Sequence, residues 1–110
     1  MSTKISSGAA LTGSLQTIYT VPTHKDADWV LLYITNTSGS NGTVTVNYYD
    51  ASASTSLPIL SGYAISSKDF FQIGGEINKF IYMKDGDYIQ ASSTQSMTIL
   101  VSVIEHNSHR

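Results

Sequence analysis

The stretch "WVLLYITNTSGSNGTVTVNYYD", residues 29–50, decides the fold class. Its second half alternates. Val44, Val46 and Tyr48 point to one side of an extended chain, and Thr43, Thr45 and Asn47 point to the other. That period of two is the mark of a half-buried strand. Its first half is an unbroken apolar run. Read with the same period, Trp29, Leu31 and Tyr33 face one way, and Val30, Leu32 and Ile34 face the other. The loop "TSGSNG" between the halves carries Asn41-Gly42, a turn signal, so the two strands are expected to pair as a hairpin.

Working outward, "LQTIYTVP" (15–22) predicts a strand stopped by Pro22, which has no N–H for a ladder. "LPILSGYAIS", "DFFQIGG", "INKFIYM", "DYIQASS" and "MTILVSVIE" add further short strands at spacings of roughly 8–12 residues. No stretch has an apolar 3.6 period capped at both ends. The expected fold is all-β, an antiparallel sandwich of about eight short strands with a jelly-roll-like arrangement. Residues 2–14 hold only Ile5 and Leu11 as large apolar groups, and 1–14 read as a flexible N-terminal arm. The sandwich is expected over 15–105 and a tail over 106–110.

Composition narrows the function. The chain has 110 residues, one domain's worth. Only 13% are charged, against roughly 25% on average, and about a quarter are Ser or Thr. The net charge is −2 and the six basic residues are scattered, which argues against nucleic acid. There is no cysteine, so disulfides, thiolate metal sites and cysteine nucleophiles are excluded. The start of the chain lacks the apolar segment of a secretion signal, and no stretch approaches the roughly 20 apolar residues of a membrane span.

Asp85-Gly86-Asp87 poses a choice between a cation loop and a turn. A calcium loop needs a continuing series of oxygen ligands, and here Asp87 is followed by Tyr88, Ile89, Gln90 and Ala91. Gly86 suits a positive φ and Asp suits turn geometry, so these three residues are read as a structural turn between strands. Glu76 and Glu105 are the remote carboxylates left to any metal site. His24, His106 and His109 have no ligating spacing and read as solvated. No G-x-S-x-G elbow or phosphate-binding glycine run occurs. No catalytic residue, cofactor or metal is therefore expected. Trp29, Tyr33, Tyr48, Tyr49, Tyr82 and Tyr88 are the candidates for a sugar-binding platform, although strand aromatics more often fill a core or an interface.

Two strands are apolar on both faces. Besides 29–34, the segment 97–105 puts Met97, Ile99, Val101 and Val103 on one face and Leu100 and Ile104 on the other. An ordinary sandwich strand is half polar, so these need cover twice over. A short chain has little material for a third layer. Its own arm or a second subunit must supply that cover. The candidate interface residues are Ile5, Leu11, Val30, Leu32, Ile34, Leu100 and Ile104.

The order of "IYTVP", "NTSGSNGTVTVNYYD", "IGG", the spacing Met83-x-x-Gly86-Asp87-x-Ile89, "QASS" and "VSVIE" resembles small β-sandwich structural proteins of tailed bacteriophages. The resemblance spans most of 15–105. It implies a non-enzymatic virion component, a capsid decoration or cement protein, assembled in the bacterial cytoplasm. It also implies a homo-oligomer, with a trimer favoured, bound to the major capsid protein. Neck, tail or fibre proteins and a carbohydrate- or receptor-binding module are the alternatives. Cupin enzymes share the general look, but this chain has no H-x-H pair for their metal.

Overall fold

The computed structural model describes residues 2–74 and 81–107. Among them are nine strands: β1 (Ser2–Leu11), β2 (Gln16–Thr20), β3 (Lys25–Asn36), β4 (Gly42–Asp50), β5 (Thr55–Ile65), β6 (Phe70–Gly74), β7 (Ile81–Met83), β8 (Tyr88–Ser93) and β9 (Met97–Asn107). They form two antiparallel sheets. One has the order β1-β9-β3-β6, with β7 also on β3, and the other has β2-β8-β4-β5. The chain crosses between sheets at most of its connections, giving a jelly-roll sandwich. The strand beyond the expected eight is β1, while β6 and β7 are two pieces along the same edge of β3. Residues 77–80 of the strand expected over 77–83 lie outside the described residues, as do Glu76 and His109.

The core sits between the sheets. Val44, Val46, Ile89 and Ala91 face it from one side, and Trp29, Leu32, Ile34, Ile99, Val101 and Val103 from the other. Each large side chain removed from water here contributes about 1.5–3 kcal/mol.

The structure departs from the sequence expectation at four places. The strands of 29–50 do not form a hairpin: β3 lies in one sheet and β4 in the other. Asn36 accounts for the crossing. It is fully buried; its amide donates to the Ser40 and Ile65 carbonyls, and its Oδ1 accepts from the Ser38 N–H and hydroxyl. The loop is thereby tied over the end of the sandwich rather than turned back beside β3.

The expected arm is instead β1, paired with β9 along ten residues. Ile5, Ser7, Ala9 and Leu11 point inward, with Leu11 buried. The Ser7 hydroxyl donates to the Ile18 carbonyl, and the Gln16 amide donates to the Ala10 carbonyl, fastening β1 to β2 across the sandwich edge. The expected tail is likewise partly strand, since β9 runs to Asn107. Nor is His106 simply solvated: its Nε2 lies 2.8 Å from Asp28 Oδ2.

The fourth departure reassigns the faces of β3. The pairing of β3 with β9 shifts register between Trp29 and Leu31, so Val30 is the extra residue of a bulge. Beyond a bulge the alternation inverts. Trp29, Leu32 and Ile34 therefore all face the core, each fully buried, while Leu31 and Tyr33 face out. Leu11, Leu32 and Ile34 are core residues and not interface residues. Ile5 packs against the same core. Val30 is half-buried at the bulge. Leu100 and Ile104 do lie on the outer face, with Leu100 40% exposed.

Candidate assembly surface

The outer faces of the two sheets differ. On β4 and β8 of the four-stranded sheet the outward residues are polar, Thr43, Thr45 and Asn47 of β4 and Gln90 and Ser92 of β8, while the edge strand β5 leaves Leu57 and Tyr63 exposed. The aromatic exception on β4 and β8 is Tyr49 stacked on Tyr88, ring centroids 4.5 Å apart, so each ring covers the other. On the five-stranded sheet the outward residues are largely apolar or small, and they stand in cross-strand rows. Gly8, Leu100, Tyr33 and Gln72 make the middle row. Ser6, Ser102 and Leu31 flank it on one side, the two serine hydroxyls 2.8 Å apart. Ala10, Thr98, Thr35 and Phe70 flank it on the other. Phe70 is 55% exposed and stacks on Tyr33 at 5.4 Å.

Charge appears on this face only toward one end. There Lys4 of β1, Ile104 of β9 and Asp28 of β3 share a row with Tyr82, and the next row brings His106 and Asp26. An apolar centre with charge kept to its rim is the composition of a protein interface. Leu100 and Ile104 are the sequence-predicted residues that the structure brings to it. Leu31 and Tyr33 were not foreseen, because nothing in the sequence marks the bulge at Val30, and Phe70 of β6 was not among the expected interface residues.

The proposed sugar platform is not assembled. Trp29 is buried, Tyr48 packs against the core, Tyr49 and Tyr88 lie on one sheet, and Tyr33 and Tyr82 on the other.

Asp85-Gly86-Asp87 does make a turn, crossing from β7 in one sheet to β8 in the other rather than closing a hairpin. The Asp87 N–H donates to the Lys84 carbonyl and Gly86 has φ +86°, the pattern of a type II turn. Asp87 is buried and fully used. Its Oδ1 accepts from the Ala51 N–H at 2.9 Å, and its Oδ2 accepts from the Lys84 N–H at 2.9 Å and the Tyr48 hydroxyl at 2.6 Å. Gly86 donates to the Val21 carbonyl, and Asp85 Oδ2 accepts from the His24 N–H. The turn thus fastens the β2–β3 and β4–β5 loops at one end of the sandwich. No group of three or more ligating side chains gathers anywhere among the described residues.

A second tyrosine–carboxylate pair is buried nearby in the chain's pairing pattern: the Tyr19 hydroxyl donates to Glu105 Oε2 at 2.5 Å. Burial, then the hydrogen bond and charge of the neighbouring carboxylate, push both Tyr19 and Tyr48 above the ordinary phenol range. The folded state holds these protons more tightly than the unfolded state. Their stabilisation is therefore complete below about pH 10, and is lost as pH rises toward the folded values. In an alkaline titration followed by tyrosinate absorbance and circular dichroism, ionisation of these two should coincide with loss of structure. Tyr19→Phe with Tyr48→Phe should remove that coupled phase.

A shallow polar groove lies at the opposite end, where Thr12, Gly13 and residues 93–96 meet. It offers no ionisable side chain. No helix among the described residues is long and apolar enough to cross a membrane.

No family model matches the chain, and no curated protein does. Among solved structures, one described as "Bacillus endospore appendages form a novel family of disulfide-linked pili" is similar, with a TM-score of 0.52 and 13% identity. The match covers 98% of this chain and 88% of that one. At that identity the likeness shows a shared sandwich fold and no more. The disulfide linkage of that protein has no counterpart here, since this chain has no cysteine.

Proposed function

We propose that this chain is a non-enzymatic structural subunit that works in many copies, and that its assembly is a tailed-bacteriophage particle in which it decorates and cements the capsid. The observation that carries the reading is the contrast between the two sheets. The middle of one outer face, on β4 and β8, is polar, while the other sheet exposes Leu100 and Phe70 beside half-buried Leu31 and Tyr33, with charge only toward one end. A subunit with such a face gains by association, because apolar area removed from water stabilises by roughly 25 cal/mol per Å². The gain repeats at every copy. The neighbour of like fold is described as forming pili, which accords with a sandwich used as a repeating unit. The capsid location rests on the resemblance alone, and the major capsid protein is the partner it implies.

Mass spectrometry of purified virus particles, with heads and tails fractionated, tests the location. The reading expects peptides of this chain in the head fraction at a copy number comparable to the capsid protein. Peptides confined to the tail fraction would move it to a neck, tail or fibre role. Their absence from particles would remove the virion altogether.

A further inference from the structure

We propose that the outer face of the five-stranded sheet binds a second copy of this chain, face to face, about a two-fold axis running along β9. This rests on the reading of the chain as a self-associating subunit, and names the surface and the symmetry it uses. It also puts a two-fold contact in place of the trimer that the resemblance implies.

Relief is the first ground. On the β1 side of β9 the outward residues of the three uncharged rows are Ser6, Gly8 and Ala10, and Gly8 is so low that Leu100 Cδ1 lies 3.7 Å from where its Cβ would stand. On the β3–β6 side they are Leu31, Tyr33 and Phe70, with Thr35 and Gln72 among them. The face is shallow on one flank and tall on the other. Rotation about β9 lays the tall flank of each copy over the shallow flank of its mate, and an isologous contact needs this self-complementarity.

Charge is the second ground. Lys4 and Asp28 occupy the same row on opposite sides of Ile104, Asp28 being buried and held by His106 at 2.8 Å, and Asp26 extends the acidic flank. The same rotation keeps rows level, so Lys4 of each copy meets the acidic flank of the other. A two-fold axis across the strands would instead set these groups against the row of Ala10, Thr98 and Phe70, which offers no charge of opposite sign.

Area is the third. Four strands about 4.8 Å apart and ten residues at about 3.4 Å give a footprint of roughly 650 Å², close to the ~800 Å² per partner of a standard interface.

The absence of cysteine makes the test clean. Leu100, in the middle row of β9, lies on the proposed axis and so faces its own copy. Facing sheets stand about 10 Å apart. A direct disulfide needs a Cα separation under about 7 Å, so a short bismaleimide is the probe. Leu100→Cys should cross-link to a covalent dimer, while Ser92→Cys, central on the outer face of the other sheet, should associate without cross-linking. Leu100→Asp should weaken association at least tenfold in sedimentation without changing the circular dichroism spectrum. Lys4→Glu should weaken it several-fold, less so at high salt.

If the wild type associates but Leu100→Cys fails to cross-link and Leu100→Asp has no effect, this face is not the interface, and the self-association reading survives without it. If Ser92→Cys cross-links equally well, the assignment to this sheet fails. If Leu100→Asp dissociates the protein while Lys4→Glu does not weaken it, the axis is misplaced. A wild type that is monomeric at every concentration sinks both readings.

Discussion

Asp87→Ala should lower the unfolding free energy by about 3–5 kcal/mol, the largest loss expected from any single polar substitution. The carboxylate is 1% exposed and receives the Ala51 and Lys84 N–H groups and the Tyr48 hydroxyl. Removing it leaves three partly buried donors without this acceptor, and each costs up to about 1–3 kcal/mol. Asp87→Asn should cost less, because one oxygen still accepts. Tyr48→Phe should cost about 1 kcal/mol, because it removes one donor and leaves the carboxylate its two backbone partners. Urea unfolding of the three variants checks the order. A loss under 1 kcal/mol for Asp87→Ala would mean that the turn does not hold the end of the sandwich together. It would also reopen the question of what a buried carboxylate is doing there.

Leu32→Ala should cost about 2–5 kcal/mol, and Leu31→Ala well under 1. The two residues are adjacent and chemically identical, and only their facing differs. Leu32 is fully buried, whereas Leu31 lies on the outer face beyond the bulge at Val30. Unbroken alternation from Trp29 makes the opposite assignment to Leu31, since it places Leu31 beside buried Trp29. Denaturation midpoints of the pair, measured below the concentration at which the protein associates, decide between them. Equal losses would contradict the bulge. Measured above that concentration, Leu31→Ala should gain a concentration-dependent penalty that Leu32→Ala lacks.

What the sequence could and could not reveal follows from this same physics. β4, β8 and the β9 face of Met97, Ile99, Val101 and Val103 alternate without interruption, so their facing was legible. The Asp85-Gly86-Asp87 turn was legible because φ is positive at Gly86. β1 was not, because two of its inward positions are Ser7 and Ala9, which fill the space beside β2 without an apolar signal. The crossing of the chain from β3 to β4 depends on one buried Asn36, and Asn before a Gly-rich loop reads equally well as a hairpin turn. The bulge at Val30 left no trace, since every residue from 29 to 34 is apolar or aromatic and either phase satisfies the pattern. Of the apolar strand surface expected to need cover from outside, Leu32 and Ile34 of β3 lie in the core, and Leu31 and Tyr33 lie on the outer face in their place. The outer face is built from Leu31 and Tyr33, with Leu100 and Ile104 as expected.

That outer face is the surface on which the proposed function rests, since most of the remaining apolar strand surface lies between the sheets, with Leu57 and Tyr63 of β5 left exposed at the edge of the other sheet. Sedimentation equilibrium of the unmodified protein over a hundredfold range of concentration tests this most directly. A mass that climbs from one chain to a multiple of it is the predicted result. A single-chain mass across the whole range would contradict the claim that this surface exists to be covered by another molecule of the same kind.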